Sequence, residues 1–135
     1  MFVIEGRPVP KERPRHTRYG TTYTPKKTQD YEALVSASFL SSGDKKYLDG
    51  ELLNVDMRFY FKVPKNYTRK QREELMINPY YGKRPDMDNL EKAVLDGLNG
   101  VAYADDSQVV EKHSSKCYDL KGKGERVEVN ITEVR

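Results

Sequence analysis

Apolar side chains fall on alternate positions from Leu53 to Val63: Leu53, Val55, Met57, Phe59, Phe61 and Val63. A period of two predicts a strand whose odd-numbered face is buried. Pro64 stops it. Met87, Leu90, Val94 and Leu98 are instead spaced by 3, 4 and 4 residues. That spacing predicts a helix opening at Asp86 and closed by Asn99-Gly100. A second helix is predicted from Thr24-Pro25, with Thr24 as N-cap and Pro25 at the first helical position. It runs to about Leu40, buries Tyr31, Leu34, Val35 and Phe39, and ends at Ser41-Ser-Gly43. Thr68-x-x-Gln71 is a capping box and opens a short basic helix to about Met76.

The remaining segments complete the order. Met1 to Gly6 is expected to form a short strand. Gly6 to His16 is basic and rich in proline, which excludes helix and central strand alike. Asn78 to Pro85 is a loop rich in Tyr and basic residues. Val109–Cys117 and Arg126–Val134 are predicted strands joined by the turn Lys121-Gly-Lys-Gly124. Strand, helix, strand, small helix, helix, strand, strand implies an α+β fold: a single domain over residues 1–135, with a mixed β-sheet and helices packed mainly on one face.

Composition removes several classes of function. The longest stretch without a charge, Ala33–Gly43, is 11 residues, whereas a membrane span needs about 20 apolar ones. Met1-Phe-Val-Ile-Glu5 has no feature of a secretory signal, so a cytoplasmic protein is expected. A lone cysteine, Cys117, and two histidines, His16 and His113, exclude an intrachain disulfide and a Cys or multi-His metal site. The net charge of +3 hides a segregation. Residues 1–30 hold 7 Lys/Arg against 3 Asp/Glu, and residues 62–84 hold 7 against 2. Residues 85–111 reverse this, with 1 against 7. Basic flanks around an acidic centre suit an enzyme that uses a metal on a polyphosphate, although clustering on solvated faces gives the same count.

The acidic centre opens with Asp86-Met-Asp-Asn-Leu-Glu-Lys92. Asp86 and Asp88 sit together at the helix entrance, and Lys92 shares a face with Asp88. Two close carboxylates repel unless a cation lies between them. A few carboxylates, retained waters and substrate phosphate suit Mg²⁺. The same residues also suit helix capping, the helix dipole and an ordinary i,i+4 pair. Asp105-Asp106 lies in the connection before the next strand and offers a third carboxylate, or simply a polar loop. Three or four Asp with one Lys match metal-assisted phosphodiester hydrolysis. No phosphate-binding glycine loop, nucleophile elbow or His-Glu-x-x-His motif competes. His16 and His113 read as phosphate contacts or surface residues, and Cys117 as a packed side chain.

Arg84-Pro-Asp-Met-Asp-Asn-Leu-Glu-Lys92 followed by Ala-Asp-Asp-Ser-Gln-Val-Val110 resembles the RusA family of Holliday junction resolvases, small and often prophage-encoded endonucleases. Every fixed position of its pattern D-x-D-N-L-x-K, then D-D-x-Q-V, is present. The front of the chain is similar as well: Gly6-x-Pro-x-Pro-Lys11, Arg13-Pro-Arg15 and Tyr23-Thr-Pro-Lys-Lys27. The resemblance implies a homodimer that binds four-way DNA junctions and makes paired symmetric nicks. It also implies Mg²⁺, with Mn²⁺ as an acceptable substitute. The catalytic residues it implies are Asp86, Asp88, Asp106 and Lys92, with Asp105 as an adjacent metal ligand. DNA contacts are expected from Lys11, Arg13, Arg15, Lys26, Lys27, Lys83 and Arg84. Two other readings suit the same residues: a nuclease for flaps or forks, and a DNA-binding protein without catalysis.

Overall fold

The computed structural model describes residues 1–134. Its centre is β4 (Leu53–Lys62), where Leu53, Val55, Met57, Phe59 and Phe61 are fully buried and Arg58 is exposed. The alternation therefore selects the buried face as expected. β4 pairs antiparallel with β6 (Arg126–Glu133) and parallel with β5 (Val109–Asp119). The short β1 (Phe2–Glu5) pairs with β6, giving the order β1-β6-β4-β5. A parallel pair needs a crossover, and here it contains two helices, α2 (Arg69–Ile77) and α3 (Met87–Leu98).

α3 and α1 (Lys26–Ser42) cover the buried face. Tyr31, Val35 and Phe39 of α1 and Leu90, Val94 and Leu98 of α3 join the core with the β4 residues. The two helices approach closely at Gly97. A Cβ there would lie 2.7 Å from Val35 Cβ and 3.1 Å from the Glu32 carbonyl oxygen. Ser36 Oγ donates to the Gly97 carbonyl at 2.6 Å across the same contact. The opposite sheet face carries Asp56, Arg58, Tyr60, Glu128 and Asn130, none of them buried. The fold is thus α+β with a mixed sheet.

Several local expectations are corrected. α1 begins at Lys26, and Pro25 takes the N-cap position without a side-chain cap. The Thr24 carbonyl instead accepts from Gln29 Nε2 at 2.8 Å. Leu34 is 41% exposed, because the buried positions are Thr28, Tyr31, Val35 and Phe39 and Leu34 lies one step around the helix from that stripe. The basic loop is not wholly irregular: β2 (Arg15–His16) pairs with β3 (Thr22–Tyr23) in a small hairpin. The capping box forms as read, with Thr68 and Gln71 each bonded to the other's backbone, yet α2 buries no residue. The turn after β5 is held by Asp119. Its carboxylate accepts from Gly124 N at 2.8 Å and from Arg126 at 3.1 Å.

Candidate active site

Asp86 occupies the N-cap of α3, but its side chain makes no capping hydrogen bond. Asp88 is exposed in the first turn. Neither carboxylate has a hydrogen-bond or ion-pair partner among the described residues, and neither does the exposed Lys92. Capping and i,i+4 pairing would have occupied these groups. Left free, the two carboxylates stand beside the positive end of the α3 dipole, and Lys92 is one turn further along the helix.

The free groups stand on a tightly held support. Glu91 is buried, and it accepts from Ser114 Oγ at 2.6 Å and pairs with Lys112 at 3.3 Å. This joins α3 to β5. Lys116 Nζ donates to the carbonyls of Lys83 at 2.7 Å and Pro85 at 2.9 Å, holding the turn that enters the helix. The Arg84–Pro85 peptide in that turn is cis. Sequence reasoning assigned no role to Glu91 or Lys116. A signal for Glu91 existed, since it lies four residues after Met87 and three before Val94, on the buried stripe.

Asp86 opens onto a cleft of about 600 Å³ that Arg7, Lys11, Lys27, Arg84 and Asn89 also line. Lys27 and Arg84, both expected at DNA, therefore share one concavity with Asp86. Arg7, which was not singled out, lines the same cleft, but its guanidinium is paired to Glu125 at 2.8 Å. Lys11 departs from expectation. Its amide donates to the Asn89 carbonyl at 2.9 Å, and its ammonium is held by Glu32 and by Asp96, the latter at 3.0 Å. It is a strut between the N-terminal loop, α1 and α3, not a cation free for phosphate. Arg13, Arg15, Lys26 and Lys83 are exposed, with Arg15 3.4 Å from Glu12.

The second acidic pair divides into two jobs. Asp105 caps a single 3₁₀ turn, Asp106–Gln108, and accepts from both the amide and the hydroxyl of Ser107. Those hydrogen bonds hold its carboxyl below the usual carboxylate range. Asp106 is exposed and has no partner among the described residues. The buried Gln108 fixes both in place. Its Oε1 accepts from Ala104 N and Asp105 N at 2.9 and 3.0 Å, and its Nε2 donates to the Leu48 and Glu51 carbonyls at 2.9 and 3.0 Å.

Asp106 does not lie beside Asp86 and Asp88. It sits next to Tyr103, whose hydroxyl bonds the Leu95 carbonyl near the far end of α3. Eleven helical rises separate Met87 from Leu98, roughly 17 Å. Accordingly, the described residues contain no group of three or more Asp, Glu, His or Cys placed to hold a metal ion.

A free carboxylate at a helix start, sharing a cleft with Lys27 and Arg84 on an α+β scaffold, suits a protein that acts on nucleic-acid phosphodiesters. The family model described as endodeoxyribonuclease RusA matches residues 5–132, nearly the whole chain, and the chain belongs to that family. It is a Holliday junction resolvase endonuclease, a metal-dependent hydrolase of DNA phosphodiester bonds whose substrate is branched DNA. The chain is also similar to the uncharacterized protein YqaN of Bacillus subtilis (strain 168). They are 32% identical over 141 residues, which span 98% of this chain and 95% of that protein. Among the described residues no helix is long and apolar enough to cross a membrane.

Proposed function

We propose that the chain works as a Mg²⁺-dependent homodimer, one domain per copy, that resolves four-way junctions by paired symmetric nicks. Asp86 and Asp88 hold the cation, and Mn²⁺ substitutes for it. The observation that carries this reading is the free, uncapped Asp86 in a basic cleft. The donor set suits the ion: hard carboxylate oxygens, exposed and unspent on the protein, at a site open to water and phosphate. A bound divalent cation supplies charge stabilisation at the scissile phosphate and an activated water.

The chain's own residues do the rest. Arg84 and Lys27 hold the DNA backbone against the start of α3. Lys92, one helical turn beyond Asp88, offsets the charge that the phosphate gains in the transition state. Asp105 acts through its cap, as a positioning residue for Asp106. Because Asp106 stands at the other end of α3, it completes a site only with a second copy. Asp86 and Asp88 of one protomer face the partner's Asp106, and the two-fold axis yields two such sites. Two cuts related by symmetry need two copies of one site.

The test compares a four-way junction, a flap and a linear duplex, each with and without Mg²⁺. Paired nicks in the junction alone, lost with EDTA and restored by Mg²⁺ or Mn²⁺, are expected. Equal cutting of flap and junction would favour a flap nuclease. Binding without any metal-dependent cutting would leave a DNA-binding protein.

A further inference from the structure

The β2–β3 hairpin has a firmly built tip and no core beneath it. Thr17 N donates to the Thr21 carbonyl at 2.8 Å and Gly20 N to the Thr17 carbonyl at 3.1 Å, closing a turn with Arg18 and Tyr19 at its centre. Gly20 follows at φ +82°, a left-handed position that glycine adopts without strain. Thr17 Oγ1 reinforces the turn. It lies 2.6 Å from Thr21 Oγ1 and accepts from the amides of Tyr19 and Thr21, each at 3.3 Å. Yet no side chain from Arg13 to Tyr23 is buried. Two short strands without a buried face are marginal by themselves. Local hydrogen bonds therefore hold a shape that does nothing for the core.

That shape presents Tyr19. The centre of a turn favours small or amide side chains, but here it carries a tyrosine that is 80% exposed. The Arg18 guanidinium lies 5.2 Å from its ring centroid and donates to its hydroxyl at 3.1 Å. From Arg13 to Gln29 the chain has five Lys/Arg and no Asp or Glu. Both legs of the hairpin are fixed at the rim of the cleft. Lys11 N is bonded to Asn89 of α3, Glu12 N donates to Thr28 Oγ1 at 3.3 Å, and Lys27 lines the cleft with Asp86. Four residues separate Tyr19 from Tyr23, so the tip stands at most roughly 14 Å from its root, a reach of a few nucleotide steps.

We propose that Arg18-Tyr19 is a branch-point reader: Tyr19 stacks on a base that the junction leaves uncovered at its crossover, and Arg18 holds the phosphate beside it. The proposal rests on the junction-resolving reading above and names what tells a branch from a duplex. Lys27 and Arg84 meet phosphates, which both DNAs possess, so they position without discriminating. In a linear duplex each base pair is covered on both faces, and a stacking ring must first separate a step. At an open crossover the last pair of each arm exposes a face, and an aromatic ring covers it without that cost. Stacking accepts every base, so the tip reads branching and not sequence.

The experiment measures affinity in EDTA, where DNA is bound and not cut, for a four-way junction and a linear duplex of equal length. Tyr19→Ala is expected to weaken junction binding at least about fivefold and duplex binding by less than about twofold. Tyr19→Phe, which keeps the ring, should restore the junction. As an independent arm, 5-iodouracil at the crossover should photo-cross-link to Tyr19 of the unaltered chain, whereas the same label in mid-arm should not. Equal losses on both DNAs, no loss on either, a loss that Tyr19→Phe does not restore, or a cross-link from mid-arm alone overturns the reader. If the unaltered chain prefers the junction and Tyr19→Ala keeps that preference, the reader is wrong and the function stands. If the unaltered chain shows no preference for the junction, the functional reading itself fails.

Discussion

Asp105 and Asp106 are neighbours whose carboxylates do different work, one bonded to Ser107 and the other free. Asp105→Asn keeps an acceptor for the Ser107 amide, so the cleavage rate should fall by less than about tenfold. Asp106→Asn should abolish cleavage and leave junction binding in place, since a lost ligand does not remove the phosphate contacts. Single-turnover rates and gel-shift affinities for the two variants check this. Lys92 makes no ion pair, so its removal should change stability by no more than about 0.5 kcal/mol. The transition-state role proposed for it predicts a rate loss of at least about a hundredfold for Lys92→Ala. Lys11 is the opposite case, a cation already spent on Glu32 and Asp96. Lys11→Ala should cost about 1–2 kcal/mol of stability and leave the salt dependence of junction binding unchanged. Arg84→Ala should make the log–log salt slope shallower by roughly one unit per protomer.

At the scale of elements, the α1–α3 contact is set by Gly97. Glycine inside a helix normally costs about 1 kcal/mol relative to alanine, so Gly97→Ala would stabilise an open helix. Here the new methyl meets Val35 at 2.7 Å. Overpacking should outweigh propensity and leave the variant about 1–3 kcal/mol less stable in urea unfolding. This contact also marks where the sequence stops being legible. The buried faces of β4 and α3 and the capping box of α2 follow from local periodicity and local hydrogen bonds, and each can be read from a few neighbouring residues. Gly97 against Val35, Glu91 against Ser114, and Lys11 between α1 and α3 join residues 21 to 85 positions apart in sequence. No local pattern encodes them. Leu34 departs from the expected stripe for a related reason, because adjacent Leu34 and Val35 both suit a stripe and only packing against α3 chooses between them.

At the scale of the molecule, one protomer presents its carboxylates at two separated places. The motif pair was legible as chemistry because residue types and spacing are written in the chain. Its spatial division was not, since it depends on β5 running back along α3. In the proposed dimer each site draws Asp86 and Asp88 from one copy and Asp106 from the other. Mixing subunits tests it most directly. Asp88→Asn and Asp106→Asn chains are each expected to be inactive alone. Unfolded together and refolded as a mixture, they form heterodimers in which both substitutions fall in one site and the other site is intact. The mixture is expected to regain Mg²⁺-dependent nicking of a four-way junction, one strand per heterodimer. A mixture whose heterodimer is demonstrated by mass yet remains inactive would contradict it, because sites confined to single protomers would all carry one lesion.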